Sequence, residues 1–307
     1  MKINVSVPGS VMLMGEHAVL FGQPALACAV DKYIHIELEP SQDGLVSIES
    51  ALAEYTSSLK ELKSDPRLSF VLQAIRNVAQ ELPSGFKLTI RSEFSHTVGL
   101  GSSAAVTAGV VAALAAFSGV PTDADSLFEQ SLKVVHQVQD GRGSGSDLVA
   151  SIYGGIVYYV VQPREVRKIT AAPEIDLFYA GYKTKTPDVL RHVEHLTNTS
   201  PEIYSELYQL MGAVTRQAES AIKSSDWERF GTLMNTYQGL LDALGVSDHA
   251  ISDIVYRLRE SPEVKGCKIS GSGLGDCVIS LGIGEVDLPY ERIPVAISEQ
   301  GIRIHAD

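Results

Sequence analysis

The sequence predicts an α+β protein in two parts, and three observations carry that prediction. A strand-like segment runs into a glycine hinge and then a run of small apolar residues at 98–118, VGLGSSAAVTAGVVAALAAFS, giving the order strand, loop, helix. Helical periodicities crowd between 189 and 260, bracketed by strand patterns at 177–182 and within KISGSGLGDCVISLG. The chain has 307 residues, 45% of them hydrophobic, enough for a large core in one domain or two. Gln162-Pro163-Arg164 reads as the way out of the first half, so the expected domains are 1–165 and 166–307.

Taken in order, Ile3, Val5 and Val7 alternate with polar residues as a half-buried strand does, and Pro8-Gly9 is expected to stop it. Apolar character resumes at Met12–Met14, breaks at Gly15-Glu16-His17, and returns at Ala18–Phe21. Such a polar island is either a plain turn or, with Glu16 and His17 as a hydrogen-bonding pair held between strands, a place to recognise hydroxyls or carboxylates. Ala25–Glu39 reads as a strand closed by Pro40, and residues 41–65 as a polar surface connection. Leu68, Val71, Leu72, Ile75, Val78, Ala79 and Leu82 recur at helical spacing until Pro83-Ser84-Gly85. Phe86–Phe94 alternate as a strand and lead through Ser95-His96-Thr97 into the hinge. A second helix is expected over 124–139, then a glycine loop (Gly141, Gly143, Gly145), then Asp147 opening an apolar segment before a strand at 156–161. After the 177–182 strand comes a small basic patch from Lys183 to Pro187, then helices at 189–196, 202–223, 226–243 and 248–260. Gly271, Gly273 and Gly275 fit the turn of a β-hairpin or a loop that approaches a ligand.

The hinge carries the most chemistry. Gly99 and Gly101 leave no side chain between amide N–H groups and a ligand, and Ser102 or Ser103 can cap the helix or reach a phosphate and its metal. A helix start of this kind is an anion site. A dinucleotide fingerprint is matched by Gly99, Gly101 and Ala104 but lacks the acidic residue about 20 positions on, where Gly119, Val120 and Pro121 stand. A Walker loop fails because no lysine lies between Lys87 and Lys133. A phosphate loop and a buried alanine-rich helix with a glycine entry both remain. Asp147 likewise suits either the carboxylate that accepts an alcohol proton in phosphoryl transfer or the N-cap of a short helix.

A net charge of −12 argues against a nucleic-acid or anionic-membrane partner and for a small anionic ligand met by a few local basic residues. Cys28, Cys267 and Cys277 show no CxxC pair and read as small core residues of a reducing compartment. The weakly polar run Ala104–Phe117 is shorter than the roughly 18 residues of a membrane span, and no signal-like start precedes it. The expectation is a soluble cytoplasmic protein with no membrane or nucleic-acid partner; a homodimer is left open.

PGSVMLMGEHAV, GLGSSAAVTAG and KISGSGLGDC together resemble, in order and spacing, the three motifs of the GHMP kinases, and the similarity spans essentially the whole chain. Within that superfamily GEHAVLFGQPAL resembles the mevalonate kinases, while GRGSGSD and GLGDC look like phosphomevalonate kinases. The resemblance implies an N-terminal ATP-binding domain like domain 2 of ribosomal protein S5, a C-terminal ferredoxin-like domain, and an active site in the cleft between them. It implies ATP and Mg²⁺ as cofactors and mevalonate as the acceptor, with phosphomevalonate as the alternative and a non-catalytic metabolite-binding homologue as a third reading. Carried over, it makes Asp147 the catalytic aspartate and Gly99, Leu100, Gly101, Ser102, Ser103, Ala104 and Ala105 the ATP phosphate loop. Ser103 becomes the Mg²⁺ hydroxyl, and Glu16, His17, Gly271, Ser272 and Gly273 line the acceptor side. Two positions depart from the pattern: Ser10 stands where a lysine is usual, and His136 where a metal-binding glutamate is usual.

Overall fold

The computed structural model describes residues 2–95, 98–284 and 286–306. His96 and Thr97, on the expected path into the hinge, lie outside the described residues. The N-terminal sheet is built from β1 (Ile3–Met14), β2 (Ala25–Ser41), β3 (Leu45–Ser50), β4 (Glu54–Ser58), β5 (Gly85–Ser92), β6 (Ile156–Val160), β7 (Glu165–Ile169) and the C-terminal β12 (Arg303–Ala306). Its order is β12-β1-β2-β5-β3-β4, with β6 joined to β2 and β7 to β6. Among the described residues only the β3–β5 pair is parallel. The sheet thus draws in residues 165–169 and 303–306 beside the first half of the chain.

Two expectations are corrected here. Pro8-Gly9 does not end the first strand: β1 runs on, and the pairing steps from Pro8↔Tyr33 to Gly9↔Val30, leaving Asp31 and Lys32 as extra residues in β2. A proline removes one ladder donor, and a bulge in the partner accommodates that loss without terminating the strand. Asp31 is held in the bulge by Ala296, whose N–H donates to the Asp31 carboxylate and whose carbonyl accepts from the Asp31 N–H. The polar connection at 41–65 is the antiparallel hairpin β3–β4, whose strands alternate too weakly in hydrophobicity to be read as such.

Of four helices beside this sheet, α2 (Ser102–Ser118) and α4 (Ser146–Tyr153) pack on the strands, while α1 (Ser69–Val78) and α3 (Ala124–Val138) pack on those helices. The second lobe contains β8 (Ile175–Lys183), α5 (Thr186–Thr199), α6 (Pro201–Lys223), α7 (Trp227–Leu244), α8 (His249–Leu258), β9 (Gly266–Ser270), β10 (Gly275–Leu281) and β11 (Glu291–Val295). Its antiparallel sheet has the order β11-β8-β10-β9, the order of a ferredoxin-like sheet, with no helix between β10 and β11 among the described residues.

β1 joins the lobes. Val11 and Leu13 belong to the core of the second lobe, while Met12 on the opposite face belongs to that of the first. This is the period-two alternation of a strand buried on both faces. Cys28, Cys267 and Cys277 are free and buried, as expected of core residues. No described helix is long and apolar enough to cross a membrane.

Candidate active site

A cleft of about 280 Å³ opens between the lobes, lined from β1, the glycine hinge, the loop before α4, the end of β8 and the β9–β10 turn. The hinge enters α2 through Gly101, the N-cap, at φ 64°, and no side chain caps the first turn. Ser102 and Ser103 are therefore helical residues at the cleft rather than caps, and the first N–H groups of the helix stay available to an anion. Gly101 is glycine for two reasons. Its φ is left-handed, and a Cβ there would stand 2.0 Å from Ser10 Oγ. Gly99, Gly101, Ser102, Ser103 and Ala104 line the cleft, whereas the Leu100 and Ala105 side chains are buried in the cores. Leu100 contributes its carbonyl, which accepts from the Ser10 N–H at 3.0 Å and ties hinge to β1.

Asp147 lies in the first turn of α4, and the N-cap is Gly145, so the capping reading of Asp147 is set aside. Ser10 Oγ donates to Asp147 Oδ1 at 2.9 Å. Burial pushes the Asp147 carboxyl above its ordinary pKa; the Ser10 bond and the Lys183 charge pull it down, and the Asp276 charge pushes it up. The glycine loop before it is braced at two points. His136 Nε2–H donates to the Gly143 carbonyl at 3.0 Å, and the Tyr159 hydroxyl to the Ser144 carbonyl at 2.7 Å. His136 thus turns to the loop and is absent from the cleft lining.

Glu16 and His17 both line the cleft but do not bond each other, and the apolar run after them is a single 3₁₀ turn, Ala18–Phe21, rather than a strand. Glu16 is buried and paired with Lys268, itself fully buried, while Glu16 Oε2 has no hydrogen-bond partner among the described residues. Burial drives Glu16 upward and Lys268 downward in pKa, and each partner's charge opposes that shift. His17 is held below its usual pKa by burial and is neutral near pH 7. Its Nε2–H donates to the Ser272 carbonyl at 2.8 Å, which leaves the Nδ1 lone pair without a partner among the described residues. An orphaned carboxylate oxygen and an orphaned imidazole nitrogen in one cleft are the mark of a polar ligand site.

The β9–β10 hairpin also reaches the cleft. Gly271 and Ser272 line it, and Ser270 Oγ accepts from the Met12 N–H at 3.2 Å. Gly273 faces away, against Val246.

Two further cleft residues carry charge, Lys183 and Asp276, joined at 2.9 Å. Lys183 was legible only as part of a basic patch, and Lys185 and Arg142 are exposed outside the lining. Asp276 had one signal, a charged residue inside a glycine turn, where it sits at φ 69°. It is buried beside Gly99, and its Oδ1 has no hydrogen-bond partner among the described residues.

Residues 69–155 match the GHMP kinases N terminal domain and residues 218–287 the GHMP kinases C terminal domain. The chain is 32% identical to the mevalonate kinase of Thermococcus sibiricus and 33% identical to that of Pyrococcus furiosus, covering 99% of this chain and 98% of each relative. Its fold superposes on the Methanococcus jannaschii mevalonate kinase with a TM-score of 0.81 at 25% identity, over 97% of this chain and 98% of that one. With both lobes matched and relatives aligned from end to end, the chain belongs to the mevalonate kinase family of the GHMP kinases.

Proposed function

We propose that this chain transfers the γ-phosphoryl group of ATP to the primary hydroxyl of mevalonate, giving 5-phosphomevalonate and ADP. The observation that carries the reading is Asp147, fixed by Ser10 and placed in the same cleft as the uncapped start of α2. The N-terminal lobe, expected as 1–165 and extended by the strands at 165–169 and 303–306, holds ATP, and the second lobe closes the cleft from the other side. The triphosphate lies on Gly99–Ala104, where the free N–H groups of the first turn of α2 and the positive end of the helix dipole meet its charge. The alcohol oxygen bonds to the γ-phosphorus as the bond to the β,γ-bridging oxygen breaks, and the alcohol proton passes to Asp147. A desolvated carboxylate with a raised pKa is a better base for this than one in water. His17 Nδ1 accepts from a second hydroxyl of the acceptor and sets its orientation.

Mg²⁺ fits the donors present. The Ser103 hydroxyl and the Asp147 carboxylate, which both line the cleft, are hard oxygen donors suited to such a cation. Bound there with ATP, the ion would neutralise phosphate charge.

The acceptor is read as mevalonate rather than its phosphate on charge grounds. Among the described residues the cleft presents Glu16, Asp147 and Asp276 against Lys183, and a second phosphate would add about −1.5 to −2 without a further cation there to meet it. The test is ADP release by the purified chain with each acceptor. The expected kcat/KM is at least about 100-fold greater for mevalonate. A preference for phosphomevalonate overturns the substrate assignment, and ATP turnover that no acceptor stimulates overturns the enzyme reading.

A further inference from the structure

The lysine that the family places at position 10 is absent, and Ser10 is fully buried with its hydroxyl committed to Asp147. Something else must meet the charge that spreads over the phosphoryl oxygens. Among the described residues that line the cleft, Lys183 is the only lysine or arginine. The other nearby lysine, Lys268, is sealed behind Glu16 and fully buried.

Lys183 sits at the end of β8, opposite Gly275 of β10, so the second lobe's sheet delivers it across the cleft. Asp276 holds it there. That carboxylate cannot easily move: its side chain is 5% exposed and packs on the hinge, where a Cβ on Gly99 would stand 2.3 Å from Oδ1. The Lys183 side chain is 31% exposed, so the ammonium end can swing while its tether stays fixed beside the phosphate loop. Its charge already reaches Asp147.

We infer that Lys183, tethered by Asp276, is the catalytic cation of this chain and replaces from the second lobe the lysine missing at Ser10. This rests on the kinase reading above. As the alcohol oxygen bonds to the γ-phosphorus, the electron pair of the breaking bond stays on ADP and the alcohol proton goes to Asp147. Lys183 binds the transferring group most tightly when its charge is spread, so the effect falls on kcat. Asp276 is a positioning residue.

The test compares wild type, Lys183→Met, Lys183→Arg and the double variant Lys183→Met/Asp276→Asn, each checked for folding by its thermal melt. Lys183→Met alone strands a buried carboxylate; the double variant replaces the pair by neutral groups and removes that complication. Both are expected to lose about 10²–10³-fold in kcat, with KM for mevalonate within threefold. Lys183→Arg is expected to retain at least about tenfold more activity than Lys183→Met, because it keeps the charge. A readout without turnover is calorimetric binding. Both methionine variants should bind a non-hydrolysable ATP analogue within about threefold of wild type, yet lose about 100-fold for ADP with aluminium fluoride and mevalonate, which mimics the transferring group.

Recovery of kcat in the double variant would show that Lys183 only neutralises Asp276 and would overturn the inference. A rise in KM at unchanged kcat would make Lys183 an acceptor anchor and overturn it as well. A wild-type chain that releases no ADP with mevalonate overturns the kinase reading and this inference with it; an active wild type with indifferent variants overturns the inference alone.

Discussion

Gly101→Ala is expected to disturb more than the phosphate loop. The new methyl would stand 2.0 Å from Ser10 Oγ and 3.4 Å from Asp147 Oδ1. Ser10 cannot retreat, since it is fully buried in β1 and its N–H is bonded to the Leu100 carbonyl at 3.0 Å. The hydroxyl must rotate away and release Asp147. The left-handed backbone costs a non-glycine residue about 1–2 kcal/mol. The lost hydrogen bond to a charged acceptor costs about 1.5–3 kcal/mol, so the sum is about 2.5–5 kcal/mol. A double-mutant cycle separates the two. Ser10→Gly removes the obstructing atoms and the hydrogen bond together, so Gly101→Ala added to it should cost only the backbone part, about 1–2 kcal/mol. Urea unfolding of the four proteins gives the energies; the Gly101→Ala midpoint should fall by on the order of 1 M. If the single effects simply add, the contact between Gly101 and Ser10 is not what demands glycine there, and the reasoning is wrong.

How much of this was legible depended on whether the signal was local. The order strand, hinge, helix and the amphipathic helices followed from periodicity, because burial of one face is written into residue spacing. The β3–β4 hairpin was not, because it lies at the edge of the sheet and, of its two strands, only Val46, Ile48 and Ser57 are buried. Asp147 and the hinge were visible as types in a pattern. Their union through Ser10 was not, since 137 residues separate Ser10 from Asp147 and nothing local to either announces the bond. The same holds for the Glu16–Lys268 pair. Glu16 looked like a turn residue beside His17, and the lysine that pairs with it lies on β9 in the other lobe. Lys183 and Asp276 were each readable as oddities, a cation in an acidic chain and an acid among glycines. Only the β8–β10 pairing turns two oddities into one ion pair.

Asp147→Asn should keep nucleotide affinity and lose about 10²-fold or more in kcat, as measured by ADP release, because the amide can still accept from Ser10 but cannot take the alcohol proton. His136→Ala should leave the Mg²⁺ concentration for half-maximal activity within about twofold of wild type, since the imidazole holds the Gly143 carbonyl outside the cleft; a shift beyond about tenfold would make it a metal ligand. Lys268→Met should destabilise the fold by about 3–5 kcal/mol near neutral pH by leaving Glu16 buried without its partner. The pH dependence fixes the cause. Burial already raises Glu16 and Lys268 opposes that rise, so removing the lysine sends the folded-state pKa of Glu16 further above its unfolded value. A carboxyl shifted that way is tolerated while it is protonated, and its stability is lost as pH rises through the folded pKa. The gap between variant and wild type in urea unfolding should therefore be smallest at acid pH and widen toward neutrality, and Glu16→Gln in the Lys268→Met background should remove the widening. A gap that stays constant with pH would mean that Lys268 supports the fold by packing on Tyr237, whose ring lies 5.6 Å from its ammonium, and not by holding the charge of Glu16.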